Sequence, residues 1–378
     1  MFIFDILIFI LILSIVVFVH ELGHFLAAKI TGVKVEEFGV GFPPKIWQKK
    51  IGETQYFLGA LPFGGYNKIY GMDEMDDEKD KDPKSYESKN TWVKVFICLN
   101  GVFMNLLLAV VLFYFLLIGS GFKVEQNLIL DNYKFPFGEQ QINPLIVGVN
   151  ANSPAAVAGL KFKDAIISVN GISMSSAENF AEAVENNLGK SMDVVYLDGQ
   201  TKELKSIALT PRADTIAGEG PIGVSLSTVD FVSFNSFTDK ALCGFYQTYN
   251  FIDYSFSAMG NLISVSLKQK SAEPLASSLT GPVGIFAITK VVSKDGIIPV
   301  INLIALLSIA LGVSNLIPLP ALDGAKFIYT LLQTVNKKIF TKELLMKIEQ
   351  VGMVLLIALA LLIVFKDFFQ FKSIIFGA

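Results

Sequence analysis

The feature that most constrains this chain is its set of long apolar runs. The first opens at the second residue, and from Phe2 to Val19 only Asp5 and Ser14 interrupt it. A helix needs about 20 apolar residues to cross about 30 Å of hydrocarbon at about 1.5 Å per residue. Runs of that kind predict spans over about 4–28, 93–118, 297–317 and 351–365. No positive segment precedes the first run and no small-residue cleavage pattern follows it, so it is expected to be a retained span rather than a signal peptide. With 52% hydrophobic residues among 378, the chain has material for several spans and one extramembrane domain. A net charge of −3 without a long basic block gives no footprint for nucleic acid. The two cysteines, Cys98 and Cys243, fall in a span and in a later polar region, which argues against a disulfide framework or a cysteine metal site.

The stretches between the spans divide the chain into a first membrane half (1–118), a polar insert (119–296) and a second membrane half (297–378). Residues 33–71 alternate short β-type runs with Gly and Pro, which predicts a hairpin or small sheet. The segment is apolar for an exposed loop, and irregular backbone at membrane depth must be covered by protein or line a watery cavity. It could pack on the membrane face, or dip beside a site and offer a strand edge to an extended substrate. Residues 72–90 are dense in Asp, Glu and Lys and read as a solvated loop. In the insert, Pro144 to Asn150 reads as a strand. Ser153 to Gly171 then reads as a short helix, a Gly stop, a strand and an Asn-Gly turn. This part, about 144–227, resembles a PDZ domain in the circularly permuted arrangement of bacterial proteases. Such a domain binds peptide ends by strand addition, or serves as a spacer or size filter. An amphipathic helix is expected over about 240–267, lying at the outer membrane interface.

The chemistry sits at the end of the first run, in His20-Glu21-Leu22-Gly23-His24. These are the only two histidines of the chain. In a helix, positions i and i+4 share one face, so both imidazoles can hold one zinc ion and the Glu can act as base toward its water. A catalytic zinc takes three protein ligands and keeps a fourth position open. With no third histidine, the remaining ligand must be a carboxylate, a cysteine or something weaker. Asp323 is the candidate, in Asn315-Leu316-Ile317-Pro318-Leu319-Pro320-Ala321-Leu322-Asp323-Gly324, where two prolines break the third span. It could also serve as the N-cap of the helix that follows. Asn315 could bond substrate or oxyanion, or another helix. Asn100, Gly101 and Asn105 in the second span read as packing residues.

Charge sets the orientation. Eleven lysines lie from Lys29 to Lys94 and five from Lys326 to Lys347. Short Lys-rich loops stay cytoplasmic, which puts both termini and the insert outside. The first and third spans then both run inward, and the His pair and Asp323 arrive at similar depth.

Taken together these motifs resemble the site-2 protease family of intramembrane zinc metalloproteases, closest to the bacterial regulator-of-sigma-E group. The resemblance rests on His20 to His24, on Leu61-Pro62-Phe63-Gly64-Gly65-Tyr66, on Asn100 to Asn105, on the PDZ-like insert, on Gly281-Pro282-Val283-Gly284 and on Asn315 to Gly324. It implies a polytopic α-helical membrane fold of four transmembrane helices with a membrane-associated β-hairpin and an extracytoplasmic PDZ domain. It implies one zinc ion held by His20, His24 and Asp323, with Glu21 as base. Asn315 and the hairpin around Gly64 and Gly65 would hold the substrate. The expected substrates are single-span membrane proteins of the anti-sigma-factor or remnant-signal-peptide type, trimmed outside by a site-1-type protease and then cut within the lipid bilayer. The best-known members of the group carry tandem PDZ domains, whereas this insert has clear features of one. A rival expectation is a PDZ-bearing membrane scaffold or receptor whose metal is structural.

Overall fold

In the computed structural model, which describes residues 2–72, 78–126, 130, 133–201, 203–214, 219–336 and 339–376, the apolar runs are helical. From the N-terminus, α1 (Phe2–Ile30) leads into two long strands, β1 (Val35–Ile51) and β2 (Thr54–Ile69), and then into α2 (Thr91–Gly119). Next come β3 (Lys123–Gln126), β4 (Glu139–Val149), α3 (Pro154–Ala158), β5 (Ala165–Val169) and β6 (Ile172–Ser173). They are followed by α4 (Ala177–Glu185), β7 (Met192–Leu197), β8 (Leu204–Leu209) and β9 (Val224–Ser233). The chain continues through α5 (Phe237–Gln269), α6 (Glu273–Ser278), α7 (Pro282–Val292), α8 (Ile297–Leu316), α9 (Asp323–Val335) and α10 (Lys342–Phe376). Among the described residues, α1, α2, α8 and α10 are long and apolar enough to cross a membrane. Part of the acidic run, at 73–77, and two lysines of the later loop, Lys337 and Lys338, lie outside the described residues.

Two compact units emerge, one of residues 1–116 with 247–378 and one of 117–246. Residues 247–296, expected within the polar insert, belong to the first unit. Aromatic packing accounts for this: Phe251 of α5 stacks on Phe113 of α2 at 5.4 Å, and Phe286 of α7 meets Phe9 of α1 edge-on at 5.6 Å.

In the first unit, α1 buries one seam, Asp5, Phe9, Ile12, Val16, His20, Gly23 and Ala27. These residues recur every three to four positions, as one helix face requires. The strands do more than form a simple hairpin. Val35–Val40 pairs with Gly65–Ile69 on one side and with 55–58 on the other, while Lys45–Ile51 pairs with 54–59. Each long strand therefore bends and serves twice. Gly65–Ile69 is left as an outer segment whose strand partner among the described residues is Val35–Val40.

The Gly281-Pro282-Val283-Gly284 motif forms the start of α7. Gly281, at the N-cap, has no side chain to offer the free N–H groups of the first turn. Asp367 of α10 does this instead, its Oδ2 accepting from Gly281 N at 2.8 Å and Gly284 N at 2.9 Å. A Cβ on Gly284 would come within 3.0 Å of that oxygen, so the glycine there makes room for the carboxylate. The neighbouring Lys366 donates its Nζ to the carbonyls of Ala276 and Leu279. One Lys-Asp pair thus serves the end of α6 and the start of α7.

The second unit is an antiparallel sheet of order β3-β9-β4-β5-β7-β8, with β6 beside β5. Ser153 caps α3 by accepting from Ala156 N, and Gly159 closes it with φ +95°, the left-handed stop its sequence predicts. Phe180 and Val184, four positions apart on α4, are buried with Ile146, Ile166 and Val194 of the sheet. The last strand, β9, pairs along β4 from Glu139 to Val149, so the unit closes its two ends on each other.

Candidate metal centre

Three side chains from the two ends of the chain meet at one point in the first unit. His20 Nε2 lies 2.9 Å and His24 Nε2 lies 3.1 Å from Asp323 Oδ2. The two Nε2 atoms are 3.2 Å apart. The helical spacing of the histidines places both rings on the buried seam of α1, edge to face with centroids 4.8 Å apart. Asp323 is brought there by the break at Pro318 and Pro320, which ends α8 and redirects the chain into α9. The N-cap of α9 is Leu322, and Asp323 is its first helical residue. Its carboxylate faces the imidazoles, so the capping role considered from the sequence is not the one adopted.

The surroundings hold the rings in place. His24 Nδ1–H donates to the Ile97 carbonyl at 2.8 Å, which leaves the Nε2 lone pair aimed at the common point. His20 Nδ1 faces the Asn105 amide at 3.3 Å. Asn100 Nδ2 donates to the Gly23 carbonyl at 2.6 Å and pins α2 against α1. The helices cross where both are smallest: a Cβ on Gly23 would sit 2.9 Å from Gly101 Cα, and one on Gly101 would sit 2.8 Å from His20 Cε1. The donor set is two neutral-capable imidazoles and a carboxylate whose ligand atoms lie within 4.8 Å of one another. This set fits zinc with one coordination position left over.

The other expected site residues are close by. Asn315 Nδ2 lies 3.5 Å from His20 Nε2. Glu21 is within electrostatic reach of His20, His24 and Asp323. Gly65 lies against Glu21, where a Cβ would come within 2.7 Å of Glu21 Cγ. Asn67 Nδ2 donates to the Glu21 carbonyl at 3.4 Å. Gly64 adopts φ +84° beside Val17. The structure thus gathers all seven expected residues, with Gly64 and Gly65 on the Glu21 side. Gly101 and Asn105, packing residues by sequence, lie against the histidine rings, and His24 rests on the Ile97 carbonyl, which has no counterpart in the sequence. Polar and small residues in an apolar helix were signal enough for the first two, whereas a main-chain group leaves no mark on the sequence.

A family model of Peptidase family M50 matches residues 8–359. The chain belongs to peptidase family M50. A Clostridium acetobutylicum protein whose name assigns it as a zinc metalloprotease is 30% identical over 364 residues, covering 96% of this chain and 97% of the relative. The Regulator of sigma-W protease RasP of Bacillus subtilis is 27% identical over 449 residues, covering 97% of this chain and 99% of the relative. The PDZ domain of an SdrC-like protein from Listeria monocytogenes, 21% identical, aligns with 25% of this chain and 93% of its own length at a TM-score of 0.20, too low to carry an argument. The family resemblance drawn from the motifs is therefore borne out. This M50 peptidase is a membrane protein and a zinc-dependent metalloendopeptidase, acting as an intramembrane protease in regulated proteolysis.

Proposed function

We propose that His20, His24 and Asp323 are the zinc ligands of this M50 peptidase and that Glu21 is its general base. The observation that carries this reading is the convergence of three ligand atoms, all within 4.8 Å of one another, from residues about three hundred positions apart. Zinc in such a set polarises a carbonyl and brings the pKa of a bound water to about 7. The Glu21 carboxylate takes the proton of the attacking water and returns it to the leaving amine. Asn315 donates its amide N–H to the substrate backbone or the developing oxyanion. The outer segment Gly65–Ile69, beside Glu21, offers main-chain groups to an extended substrate strand. An intact transmembrane helix has its carbonyls bonded within itself, so strand pairing favours the unwound form that can be cut.

The substrates are single-span membrane proteins already trimmed outside the membrane by a site-1-type protease. The name of the Bacillus subtilis relative supports membrane-anchored anti-sigma factors as the class. The chain crosses a bacterial cytoplasmic membrane four times, with both termini and the β-rich unit outside, as the lysine distribution supports. The β-rich unit holds a single PDZ domain over about 144–227, a reading supported by the short capped helix before β5 and the late strand β9 paired with β4.

Cleavage of a tagged single-span substrate in cells tests the site. Glu21→Gln and Asp323→Asn should each lower cleavage by about 10²–10⁴-fold while the protein accumulates normally. Wild-type cleavage by both variants would exclude the assignment and favour a scaffold with a structural metal.

A further inference from the structure

We infer that Asn105 is a positioning residue for zinc, setting the tautomer of His20 through its side-chain carbonyl. The inference rests on His20 and His24 being the ligands and goes beyond that assignment by naming what holds one of them ready. A ligating imidazole must present a bare nitrogen to the metal, so its other nitrogen must carry the proton and needs an acceptor. The two rings meet this need differently. His24 has a main-chain acceptor, the Ile97 carbonyl at 2.8 Å. Among the described residues the partner of His20 Nδ1 is the Asn105 amide, 3.3 Å away at Nδ2.

In that orientation Nδ2 donates to a bare Nδ1, and the His20 proton sits on Nε2, directed at Asp323 Oδ2, 2.9 Å away. The same orientation leaves Asn105 Oδ1 buried without a donor. A half-turn of the amide brings Oδ1 to Nδ1, where it accepts Nδ1–H and frees the Nε2 lone pair. An asparagine can thus serve either tautomer without moving its backbone. That backbone is itself fixed, since Ser308 Oγ of α8 donates to the Asn105 carbonyl at 2.8 Å and the residue is fully buried. Any residue of similar volume could fill the space. Only one with a side-chain acceptor can stabilise the tautomer that binds zinc.

The test measures zinc affinity of the purified full chain by competition with a chromogenic chelator, independently of proteolysis. Asn105→Leu, similar in volume but without an acceptor, should weaken zinc binding by about 10–100-fold. Asn105→Asp, which keeps an acceptor oxygen toward Nδ1, should bind within a few-fold of wild type. Ser308→Ala, which loosens the helix contact but leaves the amide in place, should also stay within a few-fold. With only two histidines in the chain, ¹⁵N-imidazole spectra of the zinc-loaded protein report both rings. Wild type and Asn105→Asp should show both Nδ1 atoms protonated, while Asn105→Leu should lose the protected His20 Nδ1–H signal. Equal affinity for Asn105→Leu and wild type overturns the inference, as does an Asn105→Asp variant as weak as Asn105→Leu. If His20→Ala binds zinc as tightly as wild type, it is the ligand assignment that fails.

Discussion

Buried polar side chains in the membrane unit and in the β-rich unit do different work. In the β-rich unit Asp164 and Asn143 answer main-chain groups within 35 positions, and the Gln140–Asp230 pair, 90 positions apart, joins two neighbouring strands of one sheet. Asp164 accepts from Lys161 N, three positions away, and from Gly199 N, 35 away. Asn143 donates to the carbonyls of Ile166 and Met174. In the membrane unit they join elements far apart in the chain: His24 to Asp323 across 299 positions, Ser308 to Asn105 across 203, Asp367 to Gly281 across 86. In the β-rich unit a polar group is answered by a turn or by the next strand of its own sheet. In hydrocarbon it must find a protein partner wherever the fold brings one, because an unpaired polar group there costs several kcal/mol. Polar residues in the spans therefore tie the helices together and build the site at once.

Substitutions can break this contrast, and the largest effect is expected where helix crossing and metal site coincide. Gly101→Val puts methyl groups where the His20 and His24 rings stand. It should abolish zinc binding by elemental analysis and reduce substrate cleavage to background, with the β-rich unit still folded by circular dichroism. A variant that retains stoichiometric zinc would show that the crossing is looser than its contacts imply.

Next is Asp367→Leu, which leaves the Gly281 and Gly284 N–H groups at the start of α7 without their acceptor and Lys366 without its neighbouring carboxylate. A loss of about 2–4 kcal/mol is expected. It should be read as faster hydrogen exchange in α7 peptides and a lower Tm of the membrane unit.

The corresponding change in the other unit, Asp164→Ala, removes a turn hydrogen bond to Lys161 N and a second to Gly199 N. About 1–3 kcal/mol should be lost. The increase in hydrogen exchange should stay within the β-rich unit, and zinc affinity should be unchanged. An effect on zinc would break the comparison.

The smallest effect is one of pH. Lys205, together with the Thr201 and Gln200 N–H groups, holds the Asp198 carboxyl well below the usual carboxylate range. A carboxylate whose folded pKa lies below its unfolded value of about 3.9 contributes stability above that pH and loses it as pH falls. Protection of β7 and β8 should therefore decline below about pH 4, and Asp198→Asn should flatten that decline. An unchanged acid limb would assign the decline to other groups.

Much of this was legible beforehand for physical reasons. The histidine pair lies on one helix face because four positions make about one turn. The Ser153-Pro154 start and Gly159 stop of α3, and the Asn170-Gly171 turn between β5 and β6, follow from local backbone preferences. Asp323 could be picked out by its depth and by the prolines before it. The doubling-back of β1 and β2, the helices α6 and α7, and the strands β3 and β9 were not foreseen. Glycine-rich strands specify register weakly, and the side chains that answer Ala276 of α6 and Gly281 at the start of α7 lie about ninety residues later.

By itself the sequence determined the apolar helices, the histidine pair proposed to bind metal, the glutamate proposed as its base and the local turns, because periodicity and backbone chemistry act within a few residues. The tertiary structure alone decided that Asp323 turns to the imidazoles rather than capping α9. It also decided that Gly101 and Asn105 shape the pocket of His20, and that Asp367 replaces the missing cap of α7. Those choices depend on helix packing that brings groups tens to hundreds of residues apart within hydrogen-bonding distance.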